Sequence, residues 1–103
     1  MSYHPPKFLT RKGFESWLKA FPHKNCKSGQ SGNVCNCPIA TYIKSIKGDD
    51  KYIGVGDSVI QYGDETYPSP VWAGEFVRKV DNMSPKSIPV KAGVALRILS
   101  EIK

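Results

Sequence analysis

Apolar residues recur along this chain at two different periods, and the change of period divides it into elements. Phe14, Trp17, Leu18 and Phe21 are spaced by three, one and three, which places them on one face of a helix. Thr10 just upstream is a good N-cap, with Leu9 and Phe14 at the two positions of a hydrophobic staple. Pro22 is expected to end this first helix. Pro5-Pro6 cannot open a helix, so residues 1–8 are expected to form an extended arm ahead of a single domain over 9–103.

From Pro22 to Cys37 the periodicity vanishes and Lys, Ser, Gly and Asn take over, which predicts a loop of about 15 residues, long for a small domain. A second helix is expected to begin after Cys37, with Pro38 at the favoured first position and Ile39, Tyr42, Ile43 and Ile46 on its apolar stripe. Gly48-Asp49-Asp50 closes it. The period then falls to two: Tyr52-Ile53-Gly54-Val55 and Val59-Ile60-Gln61-Tyr62 read as a hairpin. A Gly56-Asp57 turn would set Val55 against Ser58. An Asp57-Ser58 turn sets Val55 against Ile60 and Ile53 against Tyr62, and this register is preferred because it gathers one clean apolar face. Gly63-Asp64 predicts a further turn into a short third strand at Glu65-Thr66-Tyr67.

Ser69 as N-cap and Pro70 at the first position predict a third helix, with Trp72, Phe76 and Val80 on one stripe beside Val77. A fourth is expected from Pro89 to Ile102, with Ala92, Ala95, Leu96, Leu99 and Ile102 inward. The order α-α-β-β-(β)-α-α describes an α+β fold, a small antiparallel hairpin or three-stranded meander packed against about four helices. An isolated hairpin is not stable in water, so the helices must cover one of its faces.

Composition narrows the class. A chain of 103 residues supports one core. There is no apolar run of 18 and no apolar segment in Met1–Lys7, so neither a spanning helix nor a signal peptide is expected. With only three cysteines, Cys26, Cys35 and Cys37, a thiol-keeping, cytoplasmic setting fits better than a disulfide scaffold. The net charge of +6 is uneven. Lys7, Arg11, Lys12, Lys19, Lys24, Lys27, Lys44 and Lys47 face Glu15 alone within residues 1–48, giving that half +7, while residues 49–103 sum to −1. Such a field attracts phosphate-bearing partners, although it also serves solubility.

The densest chemistry falls between His23 and Pro38. His23, Cys26, Cys35 and Cys37 form a Cys3His set that can hold a structural zinc, which would also explain a long polar loop. Their spacing departs from the regular Cys-x2-Cys knuckle. Alternatively, Cys35 or Cys37 at a helix N-terminus has the setting of a reactive thiol, with His4 and His23 the available bases. The plainest reading makes Cys37 a buried small hydrophobe or helix cap and Cys26 an ordinary loop thiol. The same segment also suits an anion: Ser28, Gly29, Ser31 and Gly32 precede a helix, with Lys24, Lys27, Arg11 and Lys12 adding charge. It matches neither a Walker sequence nor a dinucleotide fingerprint. Asp49-Asp50, Asp57 and Asp64-Glu65 sit where turn geometry alone favours them.

These readings yield three expectations. The first is a non-enzymatic binding module that contacts nucleic acid or another phosphate-bearing ligand through Lys7, Arg11, Lys12, Lys19, Lys24 and Lys27, with Tyr3 or Phe8 as stacking groups. The second is a zinc-pinned protein–protein adaptor, and the third a thiol-dependent enzyme.

Overall fold

Helix α1 (Arg11–Lys19) starts where Thr10 permits it, for Thr10 Oγ1 accepts the Gly13 amide at 3.1 Å. Phe14 and Leu18 are buried, and Trp17 and Phe21 pack half-buried against the same core. The helix stops ahead of Pro22, with the Ala20 amide reaching back to Ser16 and Trp17. The computed structural model describes residues 4–23, 27–30, 37–83 and 89–102, and at 27, 30, 83 and 89 the backbone alone. Within the expected arm, the Leu9 amide donates to the Pro6 carbonyl at 3.2 Å. Pro6 and Leu9 are buried and Phe8 is half-buried.

The segment expected to be loop contains strand β1 (Lys27–Gln30), which pairs antiparallel with β5 (Pro89–Lys91). The register slips between Lys27 and Gly29, so Ser28 is the extra residue of a bulge. Ser28 is 1% exposed, and its hydroxyl donates to the Val90 carbonyl at 2.8 Å. Sequence pattern misses this strand because its four residues, Lys-Ser-Gly-Gln, carry no apolar alternation. What holds them is a partner far along the chain. The same pairing corrects the last helix, which begins at Ala92 rather than Pro89 because residues 89–91 are committed to β1.

Helix α2 (Pro38–Lys47) has Cys37 as its N-cap, Pro38 at its start and Gly48 beyond its end at φ 64°, a left-handed position that glycine occupies without strain. Ile39, Ala40, Tyr42 and Ile43 are buried, but Ile46, expected on the stripe, is 44% exposed. The stripe outlasts the surface it packs on, since residues 44–50 all face solvent.

Strands β2 (Ile53–Val55), β3 (Val59–Tyr62) and β4 (Glu65–Pro68) form an antiparallel meander. Val55 pairs with Ile60 and Ile53 with Tyr62, the register chosen by the buried face. Helix α3 (Val71–Met83) buries Ala73, Phe76, Val77 and Val80. The helix starts one residue later than expected, so Ser69 stands one residue upstream of the cap, because the first helical bond runs from Gly74 to the Pro70 carbonyl at 3.0 Å. Its hydroxyl donates to the Gly56 carbonyl, also at 3.0 Å, tying the helix start to the hairpin turn. Helix α4 (Ala92–Ser100) buries Ala92, Ala95, Ile98 and Leu99, and Ile102 is buried just beyond it; Leu96, expected inward, is half-buried.

The result is one small α+β domain in which a meander and a two-stranded ribbon share a core with four helices. Helix α1 packs on α4, α3 on α4, and α2 on β1 and β2. Among the described residues no helix is long and apolar enough to cross a membrane.

Gly74 marks the tightest approach. A β-carbon there would fall well inside contact distance of the Asp57 backbone carbonyl. Ala normally gains about 1 kcal/mol over Gly inside a helix, whereas overpacking against immovable backbone costs about 1–3 kcal/mol. Gly74→Ala is therefore expected to lower the melting temperature in calorimetry, and a rise would show that the hairpin turn yields.

Candidate functional site

The residues picked out by sequence have different fates. Arg11 lies on the partly buried side of α1, and its Nη2 donates to the carbonyls of Leu99 at 2.7 Å and Ile102 at 2.6 Å. The guanidinium thus sits at the C-terminal end of α4, where a cation is favoured by the helix dipole, on one carbonyl of its last turn and one just beyond it. Ser28 and Gly29 are buried in the ribbon, Lys12 is exposed, and His23 is exposed just after α1. Lys24, Cys26, Ser31, Gly32 and Cys35 lie outside the described residues, as does Tyr3, and of Lys27 only the backbone is described.

Cys37 is 5% exposed, and its sulfur accepts the Ala40 amide at 3.4 Å, while its carbonyl receives both the amide and the hydroxyl of Thr41. Its place is that of a buried cap, as the plainest reading had it. Among the described residues no cluster of three or more His, Cys, Asp or Glu is placed to hold a metal ion.

A different constellation forms where α2 gives way to the meander. Helix α2 ends with Lys44 and Lys47 in its last turn, where cations oppose the carbonyl end of the helix dipole. Gly48 then reverses the chain, and the Asp49 carboxylate accepts the Lys51 amide at 3.1 Å in a tight turn. That turn sets Lys47 and Lys51 on the same aromatic group. The Lys47 ammonium lies 4.4 Å from the centroid of Phe8 and 5.2 Å from that of Tyr62; Lys51 lies 5.2 Å from the Tyr62 ring. Phe8 meets Tyr62 edge-on at 5.4 Å and Tyr67 at 5.7 Å. Residues of the arm, α2 and the meander thus converge at one end of the sheet.

Asp49 anchors the cluster. The Tyr62 hydroxyl donates to its Oδ2. This bond, the Lys51 amide and the neighbouring ammonium groups hold the Asp49 carboxyl below its usual range. The same bond, with the loss of solvent and the carboxylate's charge, pushes the Tyr62 phenol up to about 12. The arrangement stores no nucleophile, because a phenol so shifted stays protonated. It offers ammonium groups held over aromatic faces, a setting suited to recognising an anion.

Phe8 was legible in the sequence as a stacking candidate, and Lys47 as part of the charge excess. Lys51, Asp49 and Tyr62 were not. Asp49 looked like turn chemistry, which it performs, and nothing local announces its second role with Tyr62. The chain matches no protein-family profile, and comparison with curated proteins and with solved structures finds no match either.

Two measurements check this geometry. In a spectrophotometric titration, Tyr62 is expected to ionise near pH 12, and Asp49→Ala should bring it back toward the ordinary value near 10. The sign for stability follows: the raised phenol contributes fully below pH 10 and loses its contribution as pH climbs through about 12, whereas the lowered Asp49 loses its own as pH falls through its depressed value. An unmoved phenol in Asp49→Ala would rule out the pair. Separately, Cys37→Ala is expected to cost about 0.5–2 kcal/mol in denaturant unfolding and Cys37→Ser less, since a hydroxyl still caps.

Proposed function

We propose that the protein is a small non-enzymatic binding module that contacts nucleic acid, or another phosphate-bearing partner, through its basic first half. The observation that supports this reading is the seating of Lys47, at the end of the basic half, together with Lys51 just beyond it, on the Phe8–Tyr62 pair. Phosphate groups bind mainly through charge, and counterion release makes that binding strong at low salt. Ammonium groups steadied over rings pay less conformational entropy on binding than lysines swinging in solvent. Lys12 and Lys7, both exposed, add to the positive field of the same half.

Arg11 contributes differently. Its Nη2 is bound to the Leu99 and Ile102 carbonyls, so its charge enters the field while that nitrogen's hydrogens are occupied. The interface therefore rests on lysines, which grip phosphate as point charges without the paired geometry that reads a base edge. Sequence-independent binding follows from that chemistry.

Fluorescence anisotropy with a labelled single-stranded oligonucleotide across a salt series tests the proposal. Binding is expected to weaken steeply with salt, and replacing both Lys47 and Lys51 with Ala should flatten the slope by about 1.4, close to 0.7 for each lost phosphate contact. Binding without a salt slope, or a slope that the double variant leaves unchanged, would overturn it.

A further inference from the structure

We propose that the cleft between the C-terminal halves of α3 and α4 is a second binding site, for a small phosphorylated molecule that carries hydroxyl groups, of the sugar-phosphate class. The cleft has a volume of about 590 Å³ and is lined by Lys79 and Asn82 from α3, Arg97 and Ile98 from α4, and Glu101 just beyond it. That volume falls within the range of small-molecule sites.

The charge arrangement selects the ligand. Lys79 and Arg97 approach one opening from two different helices, and among the described residues neither forms an ion pair. Arg97 and Glu101 are four apart with the cation on the N-terminal side, the weaker orientation for a helical pair, and they do not bridge. The dipole of α4 accounts for a cation in its last turn. It does not account for Lys79, since α3 has no basic residue in its last turn. Two cations that share a cleft repel each other, and a dianionic phosphate relieves that repulsion while accepting from both.

The remaining lining fixes the rest of the ligand. Ionised Glu101 only accepts hydrogen bonds, so it repels phosphate but receives a hydroxyl. Asn82 both donates and accepts, and buried Ile98 gives an apolar floor for a carbon skeleton. A phosphate held by Lys79 and Arg97, with hydroxyls toward Glu101 and Asn82, uses each described lining group in its favourable sense. On the other flank of α3, a groove of about 390 Å³ shares Asn82 but carries Asp57 and Asp81, with Arg78 3.7 Å from Asp57. Its acidic walls disfavour a phosphate, in contrast to the Lys79–Arg97 side.

Isothermal titration at fixed ionic strength with ribose 5-phosphate, inorganic phosphate and ribose tests the assignment. Ribose 5-phosphate is expected to saturate, inorganic phosphate to bind about tenfold more weakly, and ribose to give no heat. Lys79→Ala and Arg97→Ala should each weaken ribose 5-phosphate by about tenfold or more, as loss of a charge-assisted bond does. Glu101→Gln should narrow the gap between sugar phosphate and phosphate. Lys79, Arg97 and Glu101 are exposed, so these variants are expected to melt like the parent. No saturable binding of ribose 5-phosphate, binding that survives both cation replacements, or equal affinity for phosphate and ribose 5-phosphate would each overturn the proposal.

Discussion

The packing of Phe14 is the constraint on which the other contacts depend. Its ring is fully buried and meets Trp17 of its own helix at 6.1 Å, Tyr42 of α2 at 5.6 Å, and Trp72 and Phe76 of α3 at 5.9 and 5.2 Å. Three helices are thereby oriented by one side chain. Phe76 stands perpendicular to it, the edge-to-face arrangement that aromatic quadrupoles favour. Tyr42 also comes so close to α1 that a β-carbon at Gly13 would sit 2.5 Å from its hydroxyl oxygen. The helices approach this closely only because a residue without a side chain lies at the crossing.

That centre explains why the site lies where it does. With α2 held at Tyr42 and Ile43, its last turn extends past the core, and Lys44, Ile46 and Lys47 emerge into solvent. The meander, fixed by Ile53, Ile60 and Tyr62, brings Tyr62 under that turn. The lysine cluster is thus a by-product of where a buried helix runs out of surface to cover. Arg11 shows the complementary case, a cation of the basic half drawn inward to bind the end of α4.

Much of the fold was legible because it is local. Thr10, Pro38 and Gly48 mark helix ends through their own backbone chemistry, and the alternation of Ile53, Val55, Ile60 and Tyr62 sets the hairpin register without reference to anything distant. Ser28 resisted the same reading. A polar residue in a Gly- and Ser-rich stretch looks solvent-facing, yet it is buried because Val90 supplies its hydrogen-bond partner 62 residues away. The candidate site divides in the same way: Lys47 and Phe8 carry local signals, whereas the bond between Tyr62 and Asp49 depends on two segments meeting in space.

The ribbon of β1 and β5 has a bearing on how the chain folds. The meander closes over turns of a few residues, whereas Ser28 and Val90 must find each other across most of the domain. Loop-closure entropy makes that encounter about 2 kcal/mol more costly than the hairpin. No apolar alternation in β1 offsets it, and the return comes through docked α4 and the Arg11 bonds at its end. Loop-closure cost thus favours the local turns over the ribbon, which serves as the clasp that joins the two ends of the domain.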